Sequence, residues 1–436
     1  MMEKECVDYF KTNPGFRRLF EGLKEKYRSL GNLGGLVKLN NITETEKEAL
    51  SGLFRKDYYS KKSATIKVDL IYKALEGTKF QGVDLEKVVR GYFKGDLISK
   101  KEERNSHNSQ KALFFEKIIL DFNGTKAFHW LDYLLKNKAN AYRLLSQNYE
   151  RDKANLRNKL VLVMKALNKL SFDSSNLTRL ALFSSNISRN PHTFDDNTLA
   201  GNLLIYGIIY FLEMDYPQSA EDRAEVLYRA GLIKDEISNY TTINGFVAYK
   251  DGEVHKGWHG FYQNNEPVNI NLWNLSEIDT LSTPFKSIFI FENPTVFSQV
   301  LEVLKDKKPS LVCTYGQLKL ASLVFLDKLA ANVDKIYYSG DFDPEGLQIA
   351  DKLKTRYEEK LILWRFSKEE YDSIKSTKVI EGERMKKLDK IKSPHLQSLA
   401  DHIREEGFAG YQELLTQMYI EDIEKIICIL SSKYMV

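Results

Sequence analysis

From residue 286 onward the chain alternates short apolar runs with helical segments of about 13 to 16 residues, and no other feature constrains its fold as tightly. Strands are predicted at 287–291, 310–315, 335–340 and 360–366, with helices at 294–306, 317–332 and 344–359 between them. Such alternation implies right-handed βαβ units and a parallel sheet. Sites on open α/β sheets lie beyond the carboxyl ends of the strands. Glu292, Thr314, Gly316, Asp341 and Asp343 all fall at those ends.

Two of these strand ends carry acids in the same setting. One reads Ser287-Ile288-Phe289-Ile290-Phe291-Glu292-Asn293-Pro294, the other Tyr337-Tyr338-Ser339-Gly340-Asp341-Phe342-Asp343-Pro344-Glu345-Gly346. Capping accounts for part of this. Asp343 before Pro344 suits an N-cap with proline at the first helical position, and Glu345 suits the first turn. Capping leaves Asp341 unexplained, because it ends the strand. It also leaves Glu292 unexplained, because Asn293 is the natural cap before Pro294. The other reading is a divalent metal site on Glu292, Asp341 and Asp343, with Phe342 turned the opposite way into packing. Mg²⁺ or Mn²⁺ suits such oxygen donors, and two ions together support phosphoryl transfer. Gly346 leaves room for close approach at the helix start.

The rest of the chain divides by pattern. Residues 1–105 are expected to form an N-terminal helical module of winged-helix type. They include a capping box at Thr43-Glu44-Thr45-Glu46, a helix through Phe54, a β segment at 64–68, and helices at 69–75 and 84–92. The charged stretch 100–111 reads as a loop or linker. Residues 106–243 read as a helical region, in which Lys153, Arg157, Lys159, Lys165 and Lys169 read as a solvated helix face ahead of the alternative, a DNA groove. Within it, Asn190-Pro191-His192-Thr193-Phe194-Asp195 is a turn where His192 and Asp195 can pair in a structural cap. Residues 244–285 alternate and read as a small antiparallel β connector, with turns at Asp251-Gly252 and Asn264–Pro267. Residues 286–436 form the α/β domain with a helical tail. The tail carries the basic run Arg384–Lys392, either a solvated face or a nucleic-acid contact. The predicted class is thus α+β and multidomain.

Several function classes are excluded by what the sequence lacks. There is no GxxxxGK[ST] and no GxGxxG after a strand, so neither a P-loop nor a dinucleotide fold is expected. Three scattered cysteines and seven scattered histidines give no disulfide framework and no zinc-ligand spacing. No apolar run is long enough to span a membrane and the start is charged, so a cytoplasmic location is expected. A net charge of +4 permits nucleic acid without demanding it.

The order of a Glu at one strand end and Asp-x-Asp at a later one resembles the Toprim domain of topoisomerases, primases and several nucleases. The fuller pattern is Glu292-Asn293-Pro294, Cys313-Thr314-Tyr315-Gly316-Gln317 and Gly340–Gly346. It resembles the Toprim-bearing D-subunit family of the Wadjet plasmid-defence systems (JetD). Pro191–Asp195, Arg223–Gly231 and Asp235–Ser238 are similar to that family's N-terminal region, so the resemblance covers most of the chain.

The resemblance implies a metal-dependent DNA endonuclease acting as a homodimer on double-stranded plasmid DNA, together with a condensin-like SMC ATPase complex. It implies Glu292, Asp341 and Asp343 as metal ligands for Mg²⁺ or Mn²⁺. Glu345, Lys319 and Glu413 are accessory candidates: Glu345 has a capping role, Lys319 is placed to reach a phosphate, and Glu413 matches a late acidic position. Each of the last two also reads as an ordinary exposed helix residue. Family analogy favours hydrolysis by metal-activated water over a covalent tyrosyl–DNA bond, although Tyr58, Tyr59 and Tyr72 lie in the helical module. The competing classes are a topoisomerase- or primase-like enzyme and a non-catalytic DNA-binding adaptor.

Overall fold

The computed structural model describes residues 2–434 apart from Asp96 and Ser175. The chain divides into two compact units, Met1–Gly124 and Thr125–Val436. Unit one is mainly helical. Its two short strands, Leu36–Leu39 and Ala64–Lys67, pair antiparallel. Phe10, Phe16 and Phe20 are fully buried there, with ring centroids 4.7–4.9 Å apart. The expected capping box is present: Thr43 accepts from Glu46 N–H, and Glu46 accepts from Thr43 N–H, at the start of helix Glu44–Phe54.

The stretch expected to be a linker is instead one helix, Lys100–Leu120, so a boundary at 105 falls inside it and unit one extends to Gly124. The physical reason is a second capping box. Ser99 accepts from Glu102 N–H at 3.1 Å, and Glu102 accepts from Ser99 N–H at 2.8 Å. The Lys, Glu, Arg and Gln that follow are good helix formers, and the Ser and Asn among them sit on exposed turns where their cost is small.

Unit two opens with six helices between Lys126 and Arg229 and then builds the sheet that carries the site. Its strands are β1 (Tyr240–Asn244), β2 (Val268–Asn271), β3 (Ser287–Phe291), β4 (Leu311–Cys313), β5 (Lys335–Ser339) and β6 (Leu361–Leu363), in the order β6-β5-β3-β4-β1-β2. β3, β4, β5 and β6 pair in parallel, as the alternation predicts. The helices between them are α1 (Pro294–Val303), α2 (Leu320–Ala330) and α3 (Pro344–Tyr357). All five residues of β3 are buried, as expected for a central strand covered on both faces.

The small antiparallel sheet expected at 244–285 forms from Val247–Lys250, Glu253–Val254 and Thr280–Ser282, but the stretch is not wholly a separate connector. β1 and β2 join the main sheet antiparallel, beside β4. Without them β4 would be an open edge of unpaired backbone groups. A helix, Lys256–Asn264, lies between β1 and β2. The tail is not wholly helical either: Lys375–Val379 (β7) pairs antiparallel with Phe408–Gly410 (β8). Beyond these strands lie the 3₁₀ turn Gln412–Leu415 and the helix α4 (Thr416–Tyr434).

α3 is fixed from outside by ion pairs. Lys352 binds Asp222 at 2.7 Å, Arg356 binds Glu225 at 2.6 Å, and Arg356 also pairs with Asp327. Glu225 is buried. These contacts tie the helix Ala220–Arg229 and α2 to α3, the helix that Asp343 caps. Among the described residues, no helix is long and apolar enough to cross a membrane.

Candidate functional site

Because β3 and β5 are neighbours, Glu292 and Asp341 emerge side by side at the carboxyl edge of the sheet. The Asp341 amide donates to Glu292 Oε2 at 3.3 Å, and the Tyr338 hydroxyl donates to the same oxygen at 3.5 Å. Gly340 makes this placement possible. A Cβ there would lie 2.5 Å from Glu292 Oε2 and 2.8 Å from the Tyr338 hydroxyl. Gly346 solves a different problem. A Cβ there would lie 2.2 Å from the Asp341 carbonyl oxygen, so it permits backbone approach where α3 meets the strand end.

Phe342 points away from the acids, as expected. It is fully buried, and its ring stacks on Phe366 at 5.1 Å. Its backbone exchanges two hydrogen bonds with Gly410 of β8, at 2.9 and 3.0 Å. That pairing carries the next segment to the site. The Gln412 amide donates to Asp341 Oδ1 at 2.9 Å, and the Asn293 amide donates to Gln412 Oε1 at 3.1 Å. The Asn293 side chain caps α1 as expected, and its Nδ2 donates to Glu413 Oε1 at 2.6 Å. Glu413 therefore belongs to this edge. Gln412 is fully buried and was not among the sequence candidates.

Asp343 and Glu345 behave differently. Asp343 Oδ1 accepts the Gly346 amide at 2.8 Å, which is the expected cap, and Oδ2 pairs with Arg384. Glu345 pairs with Arg384 at 2.6 Å and Lys387 at 2.6 Å. The basic run is thus neither simply a solvated face nor simply free for nucleic acid, since two of its cations are committed to these acids. Sequence reasoning missed this pairing because 41 positions separate Arg384 from Asp343. Lys319 lies toward the other side, with its ammonium 4.0 Å from the ring centre of Tyr240 and 5.6 Å from that of Tyr315. It precedes α2 as its N-cap residue rather than sitting one turn inside it.

The electrostatics follow from these partners. Among the described residues, no Lys, Arg or His lies within ion-pair distance of Glu292, Asp341 or Glu413. Burial, then the charges of Asp341 and Asp343, push the Glu292 carboxyl up to about 8. Burial, then Glu413 and Asp343, push Asp341 up to about 6, against the pull of the Gln412 amide. Burial would also raise Glu345, but hydrogen bonds from Arg384 and Lys387 outweigh it and lower that carboxyl to about 2. One cluster thus holds an uncompensated pair beside a compensated one.

As the side chains stand, no group of three or more His, Cys, Asp and Glu among the described residues is gathered to hold a metal ion. The Glu292–Asp341 pair alone fits a hard dication. It offers carboxylate oxygens and, among the described residues, lacks a neutralising cation. Asp343 is the third donor by position, but its oxygens are engaged by Gly346 and Arg384.

A pH effect follows for the cation-free protein. A carboxyl whose folded value is raised stabilises the fold fully below its ordinary value near 4.5, and loses that contribution as pH rises toward about 8. Glu292→Gln removes the charge while keeping the shape. We expect the variant to match the parent near pH 4 and to be more stable by about 1–3 kcal/mol at pH 8.5 in chelator. Thermal unfolding across that range checks this, and a constant difference at all pH values would contradict it.

The pair His192–Asp195 forms as expected, at 2.9 Å, in an exposed turn. That turn is braced by Thr198, which accepts from Gly201 N–H at 2.9 Å and donates to the carbonyls of Thr193 and Asp195.

Residues 33–248 match the family model described as Protein of unknown function N-terminus (DUF3323), and residues 268–423 match that described as Protein of unknown function C-terminus (DUF2399). No curated protein matches the chain. The second match contains every acid of the site together with Lys319, Arg384 and Lys387.

Proposed function

We propose that this chain is a metal-dependent DNA endonuclease with a Toprim-like C-terminal domain, the cutting subunit of a Wadjet-type plasmid-defence system. The observation that carries this reading is the convergence of Glu292 and Asp341 at the carboxyl ends of adjacent parallel strands, with no basic side chain among the described residues to neutralise them. The paired N- and C-terminal family matches, which together cover most of the chain, support the whole-chain resemblance. Its partners in this reading are double-stranded plasmid DNA, a second copy of the chain and a condensin-like SMC ATPase complex.

Glu292 and Asp341 would hold Mg²⁺ or Mn²⁺, with Asp343 as a third donor once freed. Bound there, the ion supplies Lewis-acid polarisation of a phosphoryl oxygen and stabilises charge during in-line displacement. Gln412 fixes Asp341 through its backbone amide, and Asn293 links Gln412 to the start of α1. Tyr338, fully buried, orients the Glu292 carboxylate. Lys319, held over two tyrosine rings at the same edge of the sheet, presents a cation to a phosphate.

A second reading is a DNA-binding adaptor whose acids only cap and pair. The engagement of Asp343 by Gly346 and Arg384 favours it. Incubating supercoiled plasmid with the chain and Mn²⁺, with and without the SMC complex, separates the two. The nuclease reading expects scission that chelator abolishes. DNA binding without scission, in the presence of that complex, would favour the adaptor.

A further inference from the structure

We infer that Arg384 is a built-in counter-cation that competes with a divalent ion for Asp343 and so keeps the site from assembling fully. The inference rests on the reading that Glu292 and Asp341 hold a dication. Arg384 stands on the short helix Gly382–Met385 and reaches across to the start of α3. Its Nη2 donates to both Asp343 Oδ2 and Glu345 Oε2, and its Nε lies 3.1 and 3.0 Å from the two Glu345 oxygens. Lys387 adds a second cation on Glu345 at 2.6 Å.

The distribution of charge is what makes this a competition rather than plain packing. Two acids of the cluster, Asp343 and Glu345, have all the permanent positive charge. Glu292, Asp341 and Glu413 have none among the described residues. A guanidinium keeps its charge at every physiological pH, so pH alone does not release it. A dication bound between Glu292 and Asp341 attracts Asp343, but must draw it from a charge-assisted contact.

Release needs little rearrangement. The Arg384 side chain is 34% exposed, so solvent or a substrate phosphate can receive it. The segment behind it stays anchored. Leu388 is buried, the Gln348 side chain donates to the Lys387 carbonyl at 3.1 Å, and Asp351 accepts the amides of Lys392 and Ser393 at 3.1 and 2.7 Å. Rotation of one side chain therefore frees Asp343 while the backbone holds. Arg384 is a positioning residue in this scheme: it sets whether the third carboxylate is available.

The test is a calorimetric titration of the full chain with Mn²⁺ at pH 8, using parent, Arg384→Gln, Arg384→Lys, Asp341→Asn and the double variant Arg384→Gln/Asp343→Asn, with thermal unfolding of each. The expected result is roughly tenfold tighter Mn²⁺ binding in Arg384→Gln. The gain should shrink in Arg384→Lys, which keeps the charge without the fork, and vanish in the double variant. Unchanged or weaker binding in a folded Arg384→Gln would overturn the inference while leaving the metal site standing. Should Arg384→Gln not fold, Arg384→Met takes its place, and a folded Met variant that binds no tighter than the parent overturns it equally. If the parent itself takes up no Mn²⁺, the metal reading falls, and this inference with it.

Discussion

Gly340→Ala is expected to abolish tight cation binding at a moderate cost in stability, whereas Gly346→Ala is expected to act chiefly on stability. The two glycines lie six positions apart at one strand–helix junction, but an added methyl meets different atoms. At 340 it meets the free end of the Glu292 side chain at 2.5 Å and the Tyr338 hydroxyl at 2.8 Å. Tyr338 is fully buried and cannot yield, whereas Glu292 is only partly buried and can swing aside. Swinging loses the hydrogen bonds from the Asp341 amide and Tyr338 hydroxyl, at a cost of about 1–2 kcal/mol. Relief from the Asp341 and Asp343 charges offsets part of that cost at high pH. Cation affinity, which needs both carboxylates together, should fall by about a hundredfold or more. At 346 the methyl meets the Asp341 carbonyl at 2.2 Å, which is backbone, so α3 must move off the strand end. Overpacking of this kind costs about 1–3 kcal/mol or more. Unfolding curves and Mn²⁺ titrations of both variants test the contrast. Parent-like binding by Gly340→Ala would mean that Glu292 is not a ligand.

Asp341→Ala and Glu292→Ala should each lower metal-dependent DNA scission by about a hundredfold or more, and the double variant should be little worse than either. Non-additivity follows from geometry. The Asp341 backbone amide holds the Glu292 carboxylate, and both acids end neighbouring strands at one edge, so removing either leaves an incomplete seat. Asp343→Ala should cost less than either, because Asp343 is tied to Gly346 and Arg384 before any ion arrives. Scission rates measured with the SMC complex present, over a range of Mn²⁺, give the comparison. Equal losses that simply multiply would indicate independent roles. Undiminished cutting by Asp341→Ala would place the chemistry elsewhere.

Much of this site was legible in the sequence because buried parallel strands read as unbroken apolar runs. Phe289, Ile290 and Phe291 announce β3, and Asn293-Pro294 and Asp343-Pro344 mark two helix starts that the structure keeps. Boundaries were less secure where local geometry intervenes. β4 stops at Cys313, and α2 begins only at Leu320, because Tyr315 and Gly316 take left-handed conformations in the intervening loop. The order of strands was not legible, since nothing in β1 says that it will cover the edge of β4. Nor was the division of labour among the acids. Capping predicts a role for Asp343, but only the fold brings Arg384 to it and Glu413 to Asn293. The helix Lys100–Leu120 carried its own signal in Ser99 and Glu102, outweighed by its polar composition.

The central claim is that Glu292 and Asp341 form a cation seat, and the most direct test is calorimetric titration of Mn²⁺ into parent and Asp341→Asn in buffers of different ionisation enthalpy. At pH 7 Glu292, raised to about 8, is largely protonated, whereas Asp341, raised to about 6, is largely ionised. Binding by the parent should therefore release close to one proton at pH 7 and almost none at pH 9.5. The Asn variant should show neither tight binding nor proton release. Equal Mn²⁺ binding by the two proteins, or no binding by the parent at either pH, would contradict the account.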